Sequence, residues 1–396
     1  MWRLGFFFHE MAFGLLSVFI PLYVVLQLNG SLLELGIMTS VALFCGIPAS
    51  FFWGYICDKT RRYKIYILLS FISGAVILFA FTLTTNVLVF IVLFVVLQVL
   101  HVAHESPKNV LIAEHYSREE WEKSYAAYEG LTEVGWFIGL LLGFFAAVFS
   151  VSSSLTLYLC AGLNLAAFIL SIFLVADPLM IFERRLVGIE RRIDFTYRGL
   201  ENASELMDGH FSGGKLKQDS FFAFGIALML FMLASGIFFT PLPIFFERQL
   251  SFPSSLIFFV FMLNSGGAML GYLVAGRRAL YSNAKTQMRR VVLFRSLLIF
   301  SLVAVVDLIA SPTVFAGIIL VALGFAYAVY YILTLALSME LVPQGKNAVF
   351  DVLVGLGAAT GSFLGPYFAG LFGFIPTFLL AGGVFFFAFL IIWLFT

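Results

Sequence analysis

The sequence predicts an all-α membrane protein with twelve transmembrane helices, arranged as two pseudo-symmetric six-helix bundles. Three observations predict it. First, 62% of the 396 residues are hydrophobic, only 11% are charged and the mean hydropathy is +1.03. Soluble domains carry about 25% charged residues, so water cannot be the solvent for most of this surface. Second, apolar runs of about 20 residues recur, enough to cross a hydrocarbon core of about 30 Å at about 1.5 Å per residue. Only helices and closed barrels satisfy the backbone in lipid, and runs this continuous exclude the alternation of barrel strands. Third, the connections alternate between rich and poor in Lys and Arg.

In chain order, apolar runs between polar breaks place helices at 4–27, 33–55, 65–85, 87–114, 124–150, 153–176, 219–246, 254–276, 291–311, 313–339, 347–372 and 375–396. The first starts directly after Met1-Trp2-Arg3 with no small-residue cleavage site, and reads as a helix, not a signal peptide. Arg3, the turn Lys59-Thr60-Arg61-Arg62-Tyr63-Lys64, Arg118, Lys123, seven residues of 178–218, five of 277–290 and Lys346 put twenty Lys/Arg on one side. Arg248 stands alone on the other, while Lys108 and Arg295 fall inside predicted helices 4 and 9. Positive loops face the cytoplasm. The expectation is a multi-pass plasma-membrane protein with both termini cytoplasmic.

Residues 178–218 form the only long polar stretch and divide the chain into bundles 1–177 and 219–396. Leu186, Ile189 and Ile193 beside Arg184, Arg185, Arg191 and Arg192 suit a short helix on the anionic inner leaflet or a plain solvated linker. The net charge of +1 argues against a nucleic-acid partner. Cys45, Cys57 and Cys160 show no framework spacing and read as free thiols. No cofactor or resident metal is expected, and the chain is expected to act as a monomer.

The halves repeat. Gly54-Tyr55 after helix 2 is echoed 217 residues later by Gly271-Tyr272, again followed by basic residues. Gly135, Gly139 and Gly143 on helix 5 match Gly357, Gly361 and Gly365 on helix 11 at an offset of 222. Small residues at every fourth position let helices approach closely in lipid. The same offset carries Glu129 onto Asp351.

Gly54-Tyr-Ile-Cys-Asp58-Lys59-Thr-Arg61-Arg62, between helices 2 and 3, resembles the signature loop of the major facilitator superfamily, with Arg61 where the family pattern has its second glycine. Pro107, Leu111-Ile-Ala-Glu114 and Ser117-Arg118-Glu119-Glu120 are similar to the family at the end of helix 4. The resemblance implies a carrier that cycles by alternating access, with a cytoplasmic gate. In it, Asp58 would cap helix 11 near Asn347, and Lys59 or Arg62 would pair with Glu114 and Asp351. Glu129 would add a gating or surface charge. The second half departs from the pattern, with Ala275 where a symmetric Asp would stand.

Ionisable groups at bilayer depth are costly and mark functional sites. They concentrate in the first half, with His9 and Glu10 on helix 1 and Glu129 and Glu133 on helix 5. Helix 4 carries His101, His104, Glu105 and Lys108, spaced i, i+3, i+4 and i+7 and so expected on one face. Counting the rise per residue puts Glu10, Glu105 and Glu133 at a common depth. A proton-coupled site follows, with Glu10 or Glu105 exchanging a proton as substrate binds and a histidine assisting. Alternatively, Lys108 neutralises Glu105 as a structural pair. In the second half Asn264, Tyr327, Tyr330, Tyr331 and Thr334, together with Gln98 on helix 4, read as cavity lining for a small organic molecule. Two alternatives remain: a divalent-cation carrier using the His101/His104/Glu105 face, or, in another class, a membrane metalloenzyme or receptor.

Overall fold

The computed structural model describes residues 2–115, 121–177, 214–275, 284–308, 312–341 and 347–395. The possible interfacial helix at 184–193 lies outside them. All regular structure among the described residues is helical. The first half contains α1 (Arg3–Leu22), extended by a π-turn (Tyr23–Gln27), then α2 (Leu32–Thr60) and α3 (Tyr63–Phe81). It continues with α4 (Val87–His101), a 3₁₀ turn (Val102–His104), α5 (Glu105–His115), α6 (Trp121–Val148) and α7 (Ser153–Leu174). The second contains α8 (Gly214–Phe239), α9 (Leu242–Arg248), α10 (Ser254–Ala275), α11 (Ala284–Leu308), α12 (Pro312–Leu341), α13 (Asn347–Phe372) and α14 (Phe374–Phe395).

Among the described residues eleven spans are apolar and long enough to cross a bilayer, two of them formed by α4 with α5 and by α8 with α9. The twelfth crossing is α11, whose run 291–306 is apolar apart from Arg295. Local chemistry sets several starts. Ser31 and Glu34 form a capping box at α2, with Glu34 accepting from the Ser31 N–H at 2.7 Å. The Asn86 side chain caps α4, and that of Ser152 caps α7. Three expectations change. Predicted helix 4 is not continuous, because the 3₁₀ turn divides it. Predicted helix 7 breaks at Thr240-Pro241, where proline has no backbone N–H to give. Helix 2 runs to Thr60 rather than 55, so Gly54, Asp58 and Lys59 lie in its final turns, not in a loop.

Arg61 then ends α2 with φ +57°, and its N–H bonds to the Cys57 carbonyl. That left-handed position is the one glycine fills in the family pattern, and there a Cβ is strained by about 1–2 kcal/mol. Arg61→Gly is therefore expected to keep the fold and hold or raise the melting temperature of the purified protein. A clear fall in a thermal melt would contradict this account of the turn.

The two halves pack alike. In the first, α1 packs on α6 and α7, α3 on α7 and α4, and α2 on α4. In the second, α8 packs on α13 and α14, α11 on α14 and α12, and α10 on α12. The halves meet through α6 against α10 and α2 against α13, pairs that the same symmetry exchanges. The glycine match is the seam of this repeat. A Cβ on Gly135 would meet the Phe7 carbonyl and one on Gly139 that of Met11, while Gly357 and Gly361 lie against those of Met229 and Leu233. Phe7 to Met229 and Met11 to Leu233 are again offsets of 222. Gly143 departs from the match, because it faces the Phe258 ring in the other half.

Candidate functional site

A cavity of about 490 Å³ lies between the halves. Its first wall is charged: Glu10 from α1, Glu105 and Lys108 from α5, and Glu129 and Glu133 from α6. Its second wall is aromatic and polar: Phe239 from α8, Asn264 and Tyr272 from α10, and Tyr327 and Tyr331 from α12. Three carboxylates that the sequence puts at one depth thus share one space.

The charges are held differently. Lys108 forms an ion pair and hydrogen bond with Glu105 Oε2, and its ammonium lies 5.7 Å from the centre of the Tyr128 ring. Glu133 accepts a hydrogen bond from Ser265 of α10, a direct link between the halves. Glu129 shares the cavity lining with Tyr331 of α12. It lines the cavity beside Glu133, where the sequence reading placed it at the cytoplasmic gate. Glu10 has no hydrogen bond or ion pair among the described residues, so its carboxylate is open to a solute.

The helix 4 residues do not share one face. A 3₁₀ turn advances 120° per residue against 100° in an α-helix, about 60° over the three residues of Val102–His104. Glu105 and Lys108 therefore reach the cavity, while His101 and His104 turn into the first half. There His9, with no exposed surface, meets both of them.

Hydrogen-bond accounting fixes the tautomers. The Asn164 side-chain amide donates to the Cys160 carbonyl at 3.0 Å, so its oxygen faces His9 Nδ1 at 2.7 Å and accepts from it. His9 Nε2 then accepts from His101 Nδ1 at 3.0 Å. Ser70 donates to the His101 carbonyl at 2.9 Å, so its oxygen accepts from His104 Nδ1 at 3.1 Å. That leaves His104 Nε2 facing Glu105 Oε1 at 3.4 Å, a good contact only with a proton between them. Glu105 thus stands between the cavity and a buried histidine cluster, in which His104 meets His9 and His101 by ring contact.

A proposed lining face on α12 also splits. Tyr327 and Tyr331, one turn apart, line the cavity. Tyr330 is buried, with its ring stacked on Phe231 at 3.4 Å, and the Thr334 hydroxyl is buried outside the cavity. Gln98 lines a smaller space of about 160 Å³ that shares Trp136 with the main one. Of the residues expected at a gate, Asp58, Lys59 and Arg62 are exposed. The side chains of Glu114, Asn347 and Asp351 lie outside the described residues.

Sequence reasoning assigned no role to Asn164, Ser70 or Arg295. Arg295 has no exposed surface, and among the described residues none of its guanidinium nitrogens has a hydrogen-bond partner. Four rings surround it, with centres 5.0 Å (Phe231), 5.2 Å (Phe385), 5.5 Å (Tyr327) and 5.6 Å (Phe239) from its guanidinium carbon. Its signal was visible, since it is the only charge in the run 291–306.

The family model described as Major Facilitator Superfamily matches residues 4–350. No curated protein sequence matches significantly. The fold is similar to that of the nucleoside transporter NupG (TM-score 0.72, 15% identity, 99% of this chain and 98% of that one). It is also similar to the xylose transporter XylE from E. coli in a partially occluded inward-open conformation (0.70, 15%, 99% and 96%). A third similar structure is the peptide transporter POT (0.73, 12%, 99% and 92%). At these identities the likeness shows the fold alone. With the family model spanning most of its length, the chain belongs to the major facilitator superfamily and is a secondary transporter rather than an enzyme.

Proposed function

We propose that the chain is a proton-coupled carrier of a small organic solute, rocking two lobes (1–177 and 219–396, joined by 178–218) about the central cavity. The carrying observation is that cavity: four carboxylates with one lysine on the first wall, and an amide and three tyrosines on the second. Acids this deep are costly to keep without a role. Glu10, open to the cavity, exchanges the proton; Glu105, flanked by Lys108 and His104, holds charge balance as it does so. Glu133, bonded to Ser265 of the opposite wall, links the proton state to lobe closure, with Glu129 beside it facing Tyr331 across the cavity. Asp58, Lys59 and Arg62 serve the gate at the basic end, which faces the cytoplasm of a plasma-membrane monomer.

The test is flux in proteoliposomes under an imposed pH gradient, using a solute found by screening. Glu10→Gln is expected to cut gradient-driven flux about 100-fold while leaving downhill exchange within about threefold, as loss of one general proton carrier does. Wild-type gradient-driven flux in Glu10→Gln would remove that residue from the mechanism.

One observation favours a second reading. Ligand atoms of His9, His101 and His104 lie within 4.8 Å of one another, so a divalent cation could be the cargo. The reading needs His9 in place of Glu105, and each imidazole already has hydrogen bonds that binding would break. Stoichiometric bound zinc in purified protein, lost in His9→Ala, would promote it.

A further inference from the structure

We infer that Arg295 is the anion subsite of the central cavity, so that the transported solute is an organic anion bearing a carboxylate or phosphate. The inference rests on the carrier reading and adds the substrate class. Arginine keeps its charge under all ordinary conditions and presents five N–H donors. The rings of Phe231, Phe239, Tyr327 and Phe385 offer their faces to that charge. Ring faces answer the charge but accept none of the directional N–H bonds, and among the described residues Nε, Nη1 and Nη2 all lack partners. An oxyanion does both at once, bonding two N–H groups in parallel.

The place fits a solute. Phe239 and Tyr327 line the cavity and also touch the guanidinium, so a single aromatic layer separates Arg295 from the open space. Rotation of the Tyr327 ring admits an anion. On α8, Ser235 lies one turn from both Phe231 and Phe239, and its buried hydroxyl also has no partner. It is a second donor on the face that carries two of the four rings. The cavity's carboxylates all stand on the opposite wall. An anionic solute is thus drawn to the second lobe and kept off the first, which leaves Glu10 free for its proton.

The test uses full-length protein in nanodiscs and follows intrinsic tryptophan fluorescence, since Trp136 lines the cavity. The probes are benzoate, phenyl phosphate and the neutral isostere benzamide. Wild type is expected to bind at least one of the anions ten-fold or more tighter than benzamide. Arg295→Met is expected to lose that preference and keep benzamide binding, with Arg295→Lys intermediate. Equal binding of all three probes by wild type, no saturable binding of either anion, or an undiminished preference in Arg295→Met would each overturn the subsite. The wild-type comparison decides the matter if the variants do not fold. Anion preference without gradient-driven flux would keep the subsite and reject proton coupling; gradient-driven flux without anion preference would do the reverse.

Discussion

Gly139→Ala and Gly361→Ala are each expected to abolish the monodisperse folded protein. In an open helix this substitution stabilises by up to about 1 kcal/mol, because alanine is the better helix former. At these two positions the added Cβ would overlap a backbone carbonyl, that of Met11 or of Leu233. A backbone atom cannot swing aside as a side chain can, so the whole of α1 or α8 must retreat. Overpacking of this kind costs about 1–3 kcal/mol even where side chains can adjust, and here the loss spreads along the seam. Gly162 and Gly383 supply the control, since a Cβ on either meets nothing within 4 Å. Their alanine variants are expected to melt at or above wild type. Size-exclusion profiles and thermal melts of the four proteins check the claim. A normal melt for Gly139→Ala would mean that the close contact of α1 with α6 does not hold the lobe.

The same seam shows how much of the fold was legible. The offset of 222 residues could be read from the sequence because close helix approach demands a small side chain at a fixed spacing, and that demand leaves a mark in the chain itself. The acid cluster was legible for a similar reason: charge is rare in these helices, so Glu10, Glu105 and Glu133 stand out, and helical rise gives their depth. Rotation about the helix axis was less legible. His101 and His104 left the face of Glu105 because the chain takes a 3₁₀ turn at Val102–His104; its signal was Pro107, which has no N–H to give the Ala103 carbonyl four residues back, and the sequence reading did not use it. Tyr330 sits only 100° from Tyr331 in phase, yet one packs into the lobe and the other meets the cavity. Asn164 and Ser70 were invisible as partners, because what a polar residue bonds to depends on how three helices rotate together. Arg295 was visible as a charge, but its lack of a counter-ion among the described residues is a fact of packing alone.

Lys108→Met is expected to stop transport, with flux down by about 100-fold or more, equivalent to about 2.7 kcal/mol of transition-state stabilisation. Among the described residues Lys108 is the only basic one lining the cavity, against Glu10, Glu105, Glu129 and Glu133. Without it Glu105 keeps only His104, and the charge of the wall has no fixed counterweight. The stability cost is smaller. Leaving one member of a fully buried pair costs about 3–5 kcal/mol, but the Glu105 side chain is 41% exposed to the cavity, so about 1–3 kcal/mol is expected. The double variant Lys108→Met/Glu105→Gln removes both charges and is expected to regain most of the lost melting temperature, because an absent pair is cheaper than a half-pair. If Glu105 and Lys108 only tie α5 together, transport returns with stability in the double variant. If the pair balances charge as Glu10 exchanges its proton, stability returns and flux does not. The second outcome is expected, since both side chains line the cavity beside Glu10.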